Sequence, residues 1–223
     1  MEVRHLSLAR GGRLLAPDIS FRVQPGECLL LAGPNGCGKT SLLRTLAGLD
    51  GQEDSIRATG NVVFIPTGIP KVKGFTVEAF IRTCCYRFSN WAGRLDADAE
   101  RRLEAAMELL GLSCCRGRDL STLSDGEFQK ACIAVGLARK AGMLLLDEPT
   151  AFLDVENRLM VLRTLRDLTD RTGMAVLFSS HDLHDALLEA HRVLAFTPGG
   201  GFLESTQENR LEVLQKAFPE VTI

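Results

Sequence analysis

Short apolar runs, loose alternations and helical repeats follow one another along this chain. Cys28–Ala32 is an unbroken apolar run of strand length, which predicts a buried strand. Residues 40–47 then carry Leu42, Leu43, Leu46 and Ala47 at helical spacing. Ahead of them, residues 3–8 alternate loosely and read as a strand, Gly11-Gly12 as a turn. Leu14-Leu15 and residues 19–23 read as a second strand region, ended by Pro25-Gly26. Residues 50–60 are polar and read as a loop, and Asn61–Ile65 reads as a strand stopped by Pro66.

From residue 67 to about residue 123 the pattern turns helical. Thr76 or a neighbour caps a helix opening at Val77, and residues 95–110 place Leu103, Ala106, Met107 and Leu110 on one face. Gly111 stops that helix. A helix over 125–140 follows, then the apolar residues 143–146 running into Asp147-Glu148, and a long helix over 155–169. Residues 174–178 predict a strand ending in Ser179-Ser180-His181-Asp182. Residues 191–196 and 202–204 read as a hairpin around Gly199-Gly200-Gly201, and 207–218 as a last helix. The pattern is that of an α/β chain with a helical insertion.

A length of 223 residues suits one domain, or one with a sizeable insertion, and 45% apolar content is ordinary for a globular core. The net charge of −2 gives no reason to expect nucleic acid as a partner. No apolar run approaches a membrane span, and residues 1–5 carry no signal-peptide core, so a cytosolic protein is expected, with any membrane role depending on a partner. The seven cysteines are odd in number, and their two adjacent pairs lack C-x-x-C metal spacing, so reduced thiols are expected.

The chemistry begins between the first buried strand and its helix. Gly33-Pro34-Asn35-Gly36-Cys37-Gly38-Lys39-Thr40, followed by Ser41, fits the phosphate-binding pattern G-x-x-x-x-G-K-[ST]. The alternative is a glycine-rich turn that binds nothing, but the strand before and the helix after are the context the motif requires. Backbone N–H groups and the helix N-terminus face the phosphates, Lys39 adds a full charge, and the Thr40 hydroxyl is placed for Mg²⁺. Cys37 lies in that positive potential, which should favour its thiolate.

Ser124 and Glu127 form a capping box that needs no further function. It also presents a helix N-terminus with a serine hydroxyl, a second anion site, and this suggests a nucleotide shared between two chains. Asp147 and Glu148 end a buried strand at the edge where open α/β sheets bind ligands. There Asp147 can hold Mg²⁺ through water, and Glu148 can polarise an attacking water. A lone histidine is more often structural, but His181 arrives at the same edge, which favours a catalytic role. His184, three residues on, could share a metal with it, although no third ligand is evident.

This order of motifs resembles the nucleotide-binding subunit of ATP-binding cassette (ABC) transporters over nearly the whole chain. The segment from Leu123 to Lys130 and Asp147-Glu148-Pro149-Thr150 carry the resemblance most specifically. It implies a phosphate-loop NTPase core with a mostly parallel sheet and an N-terminal antiparallel β part, over residues 1–66 and 126–223, with a helical subdomain over 67–125. It implies a Mg²⁺-dependent ATPase whose two copies close head to tail around two ATP. Lys39, Thr40 and Asp147 would bind ATP and Mg²⁺, Glu148 would activate water, and His181 would sense the γ-phosphate. Ser124 and Gly126 would reach the partner copy's nucleotide, and Asp154 would lie in the contact between copies.

The helical subdomain would dock on a membrane permease, holding the protein at the inner face of the cell membrane. Arg10 stands where the family has an adenine-stacking aromatic, and a guanidinium can stack through its planar face. Thr67 stands at a glutamine position beside the metal and reaches Mg²⁺ less easily. Asp125 replaces a glycine and is expected to point away from phosphate. Within the family the chain looks most like importers of iron-siderophores, haem or cobalamin. Alternatives are a cytosolic nucleotide-gated clamp or assembly factor, or the ATPase of a small exporter.

Overall fold

The computed structural model describes residues 1–51, 55–91 and 94–219. It divides into two compact units. The first comprises residues 1–67, 142–151 and 165–223, and the second residues 68–141 and 152–164. Parts of the loop expected over 50–60 (residues 52–54), of the insertion (92–93) and of the chain end (220–223) lie outside the described residues.

In the first unit β1 (Glu2–Arg10) and β2 (Arg13–Arg22) form an antiparallel hairpin, closed at Arg10↔Arg13 by Gly11-Gly12. The interrupted apolar pattern of 14–23 thus belongs to one strand. Asp18, Ser20 and Arg22 face outward, alternating with the buried Ile19 and Phe21, because one face meets solvent, as in antiparallel sheets generally. A third strand, β4 (Ile56–Arg57), pairs with β1 inside the region read as loop. Two residues are too short for periodicity to reveal, and the pairing depends on Glu2 and Val3 more than fifty positions away.

The larger sheet runs β5-β6-β7-β3-β8-β9, with β3 (Cys28–Ala32), β5 (Asn61–Ile65), β6 (Ala141–Leu146), β7 (Ala175–Ser179), β8 (Arg192–Phe196) and β9 (Phe202–Glu204). Strands β6, β7, β3 and β8 pair in parallel, and β9 returns antiparallel on β8. Strands β3 and β7 are buried at every residue, which is why they read as unbroken apolar runs. One core joins β1 and β2 to this sheet and to α1 (Lys39–Leu46), with Leu6, Ile19, Leu29, Leu43, Leu145, Leu177 and Phe196 among its members. The parallel register brings the C-terminal ends of β3, β6 and β7 to one edge. The first unit is completed by α6 (Leu183–Glu189) and α7 (Arg210–Ala217), the latter starting later than the pattern suggested.

In the second unit α2 (Val77–Cys84) starts at the Thr76 cap, whose hydroxyl accepts from Ala79 N–H at 3.2 Å. Helix α3 (Ala97–Leu109) starts at Asp96, an N-cap the pattern placed inside the helix. Arg82 bridges Glu78 on α2 and Glu100 on α3 at 2.7 and 2.6 Å. Phe80 and Phe128 pack with centroids 5.9 Å apart, joining α2 to α4 (Asp125–Ala138). Helix α5 (Val155–Thr172) begins in this unit and ends in the first. Among the described residues no helix is long and apolar enough to cross a membrane.

His191 gives the first unit a pH dependence. Its Nδ1 accepts the Cys28 N–H at 2.9 Å, which requires the neutral ring. Burial, and then the Arg166 charge, lower its pKa against the weaker pull of Asp170 and Glu27. The unfolded chain protonates this histidine below about pH 6.5 while the folded protein does not. Stability is therefore complete above that pH and falls as pH drops through it, down to the folded pKa. Urea unfolding at pH 7.5 and 5.5 should show a smaller pH loss in His191→Asn than in the parent; equal losses would assign the effect to other groups.

Candidate functional site

The phosphate loop leaves β3 at the C-terminal edge of the sheet and enters α1. Gly38 is the N-cap of α1, and no side chain caps that end, so its N–H groups face the loop. Gly38 has φ +118°, and a Cβ there would meet Leu15 Cδ1 at 3.0 Å and Leu8 Cδ2 at 3.1 Å. The backbone conformation favours glycine at this point, and a side chain would also press the two leucine methyls aside by a few tenths of an ångström. Lys39 is buried, and its Nζ donates to the carbonyls of Gly33 at 2.8 Å and Pro34 at 3.3 Å. Its charge is thus fixed inside the loop that the backbone forms around it.

Asp147, at the end of β6, is only 7% exposed and is gripped on every side. Its Oδ2 accepts from the Thr40 hydroxyl at 2.8 Å and its Oδ1 from the Ser179 hydroxyl at 2.9 Å. Its N–H donates to the Ile65 carbonyl at 3.0 Å, and its own carbonyl accepts from the Thr67 hydroxyl at 2.5 Å. The ends of three strands, β5, β6 and β7, and the phosphate-loop segment thereby meet on one residue. The Thr40 and Asp147 oxygens are hard donors, and their separation matches the edge of an octahedron with bonds of about 2.1 Å, so the pair suits Mg²⁺. Thr67 turns its proton to the Asp147 backbone, so the structure binds it to this cluster through that carbonyl.

Glu148, the next residue, sits at φ +49°. A non-glycine residue in that region carries strain of about 1 kcal/mol or more. The backbone is held there by Glu148 N–H donating to Ser179 Oγ at 2.9 Å. The turn aims the carboxylate at His181, whose Nε2 lies 2.5 Å from Glu148 Oε1. His184 pairs instead with Asp185 at 3.3 Å, so the two histidines serve different carboxylates.

A cleft of about 270 Å³ opens over these groups, lined by Arg10, Leu15, Asn35, Gly36, Gly38, Lys39, Thr40, Ser41, Glu148 and His181. The structure therefore gathers the phosphate loop, Asp147, Glu148 and His181 in one place, from segments far apart in the chain. Ser179 belongs to the same cluster as partner of both Asp147 and Glu148 and was missed as a site residue. The signal for it was its place at the polar end of a buried strand, beside His181.

Cys37 contradicts the expectation of a thiolate. Burial raises its thiol pKa, outweighing the opposing Lys39 charge and the N–H groups of the loop. Its sulfur faces inward, so close to Gly33 that a Cβ there would lie 2.7 Å from it. Positive potential does not ionise this half-buried thiol, because partial burial costs the charged form more than the loop returns.

Ser124, Gly126 and Asp154 belong to the second unit. Ser124 Oγ accepts Glu127 N–H at 3.1 Å while Glu127 Oε2 accepts Ser124 N–H at 2.8 Å, the reciprocal capping box. Asp125 pairs with Lys71 at 2.6 Å, so its carboxylate has a partner within this unit. Gly126 is packed closely: a Cβ would lie 2.5 Å from Asn157 Oδ1 and 2.6 Å from Met160 Cε. Asn157 in turn donates to Asp154 through its N–H at 2.8 Å and its amide at 3.0 Å. Close packing at Gly126 thus links the start of α4 to the Asp154 turn.

Residues 16–151 match the family model for ABC transporters. The chain is 29% identical to the iron(3+)-hydroxamate import ATP-binding protein FhuC of Bacillus subtilis, over 92% of this chain and 82% of that one. It is 34% identical to the zinc import ATP-binding protein ZnuC of Alcanivorax borkumensis, over 86% and 73%. Among solved structures, a metal-chelate type ABC transporter in an inward-facing conformation superposes with a TM-score of 0.87 at 26% identity. The match covers 98% of this chain and 88% of that one.

Proposed function

Because the chain belongs to the ABC transporter family and is one of its ATPases, we propose that it powers an importer through a separate membrane permease, with an iron chelate, haem or cobalamin as cargo. The observation that carries the ATP-driven part of this reading is the cluster built on Asp147, which joins the phosphate loop to the Glu148–His181 pair, while the similarity to import ATPases supports the direction and cargo. One similar protein is an iron(3+)-hydroxamate import ATP-binding protein and another a zinc import ATP-binding protein.

The site's own residues supply most of what phosphoryl transfer needs, which is positioning and charge. Lys39 and the α1 N-terminus face the β- and γ-phosphates of ATP. Thr40 and Asp147 would hold Mg²⁺, with Thr67 fixing the Asp147 backbone beside it. Bound Mg²⁺ would neutralise charge developing on the phosphate oxygens. Glu148 takes the proton of the attacking water, and His181 holds the Glu148 carboxylate in line and meets the γ-phosphate.

Two copies close head to tail in this reading, so that Ser124 and Gly126 of one reach the nucleotide of the other. Phe152 is 91% exposed and Val155 also lies open, on either side of Asp154, an apolar surface suited to such a contact. Trp91 is 99% exposed and Tyr86 is exposed too, and this part of the second unit is the surface we assign to the permease. The protein would then sit at the inner face of the cell membrane.

The dimer is tested by placing Asn35→Cys and Ser124→Cys together in a Glu148→Gln chain with its permease, then adding a short thiol-specific crosslinker. A covalent dimer should form with Mg-ATP and not without nucleotide, nor with either cysteine substitution alone. No ATP-dependent dimer in the presence of the permease would sink the head-to-tail arrangement.

A further inference from the structure

The cleft is faced by a second cation besides Lys39. The β1–β2 hairpin ends in Arg10-Gly11-Gly12-Arg13, and Arg10 lines the cleft. Its Nη1 donates to the Ser41 hydroxyl at 3.5 Å, the outer limit of a hydrogen bond. Ser41 is buried in the first turn of α1, directly after the motif residues. Arg10 therefore reaches toward the phosphate-binding end of the cleft, with a donor fork that is only loosely engaged. The planar fork is matched to phosphate oxygens. Among the described residues lining the cleft, the one aromatic ring is the His181 imidazole, and Glu148 already holds it. A nucleoside base would find Leu15 and a guanidinium there, and no aryl face.

We infer that Arg10 is a specificity-determining residue that reads the polyphosphate, sharing with Ser41 the phosphate nearest the nucleoside, so that the site takes nucleoside triphosphates with little regard to the base. This rests on the reading above that the cleft binds a nucleotide. Without aromatic stacking, affinity comes from charge and from the oriented N–H groups of the loop, and both are common to every nucleoside triphosphate. Arg10 lies at the exposed end of a hairpin whose pairing is made by backbone groups, so its side chain can be changed without disturbing the core.

The test measures binding of ATP, GTP, UTP and inorganic tripolyphosphate to the purified full chain in Mg²⁺. The parent should bind the three nucleotides within about threefold of one another, because none gains a stacking partner. Arg10→Ala should weaken all three, and tripolyphosphate equally, by about tenfold, the scale of one charge-assisted hydrogen bond. Arg10→Lys, which keeps the charge, should recover most of that loss. Arg10→Tyr should leave tripolyphosphate as weak as Arg10→Ala does while favouring ATP over UTP.

The inference is overturned if Arg10→Ala spares tripolyphosphate while weakening ATP, since Arg10 would then be stacking on the base. It is equally overturned if the parent prefers ATP to both GTP and UTP by more than about thirtyfold. Lys39→Ala separates the two levels. Loss of all binding in Lys39→Ala with no effect of Arg10→Ala removes this inference alone. Binding that Lys39→Ala leaves intact, or no binding by the parent, removes the nucleotide site and the inference with it.

Discussion

Glu148→Gln should cut Mg-ATP turnover by about two to three orders of magnitude, the range in which a positioned general base acts, while ATP still binds. Glutamine keeps the size of the side chain and an oxygen facing His181, but its amide does not take a proton at neutral pH. The backbone strain at φ +49° and the Glu148 N–H to Ser179 bond are main-chain features that this substitution leaves in place. Loss of turnover can then be ascribed to the carboxylate and not to a displaced turn. Removing a negative charge beside the phosphates should leave ATP affinity equal or tighter. Steady-state hydrolysis with the permease present, together with equilibrium ATP binding, decides it. Turnover within about threefold of the parent would exclude Glu148 as the base.

Asp147→Ala should abolish the response of nucleotide binding to Mg²⁺ and also weaken the fold. The parent should bind ATP more tightly with Mg²⁺ than with chelator, because Thr40 and Asp147 give the metal two hard oxygens. In the variant the two affinities should converge. Deleting the carboxylate also strips the Thr40 and Ser179 hydroxyls of their acceptor, with Ser179 fully buried. Leaving buried donors unpaired costs about 1–3 kcal/mol, which urea unfolding will read. If Asp147→Ala fails to fold, Asp147→Asn keeps an acceptor and tests the metal response alone. A Mg²⁺ effect unchanged in the variant that folds would remove Asp147 from the metal site.

These two residues differ in how far the sequence revealed them. Both were visible as acids at the end of an apolar run, and an edge position for the run made them candidates. The reach of Glu148 toward His181 was also foreseeable in kind, since two parallel strands ending in polar residues deliver them to one edge. The φ +49° turn that aims Glu148 had no sequence mark, because the residue is not a glycine. Ser179 was hidden because serine at a strand end is common, and its importance comes from its two partners.

Arg10 and Cys37 show the same limit. The family resemblance put Arg10 at the nucleotide, but its contact with Ser41 spans 31 positions and depends on how the hairpin packs on α1. The charge around Cys37 was legible, whereas its burial was not, and burial set the direction of its pKa. Asp125 was expected to turn away from phosphate, and the structure supplies a partner for it, Lys71, 54 positions upstream.

By itself the sequence determined whatever depends on near neighbours. The phosphate loop with its strand and helix, the Ser124–Glu127 capping box and the Thr76 cap are each complete within a few residues, since turns, caps and helix starts satisfy their own backbone groups locally. Only the tertiary structure decided what crosses the sheet. The strand order brings residues 40, 147 and 179 within hydrogen-bond distance, pairs Ile56 with Val3, and packs Cys37 partly against the core. Those contacts are set by which strands lie side by side, and apolar runs as similar as Cys28–Ala32 and Ala175–Ser179 carry no mark of their neighbour in the sheet.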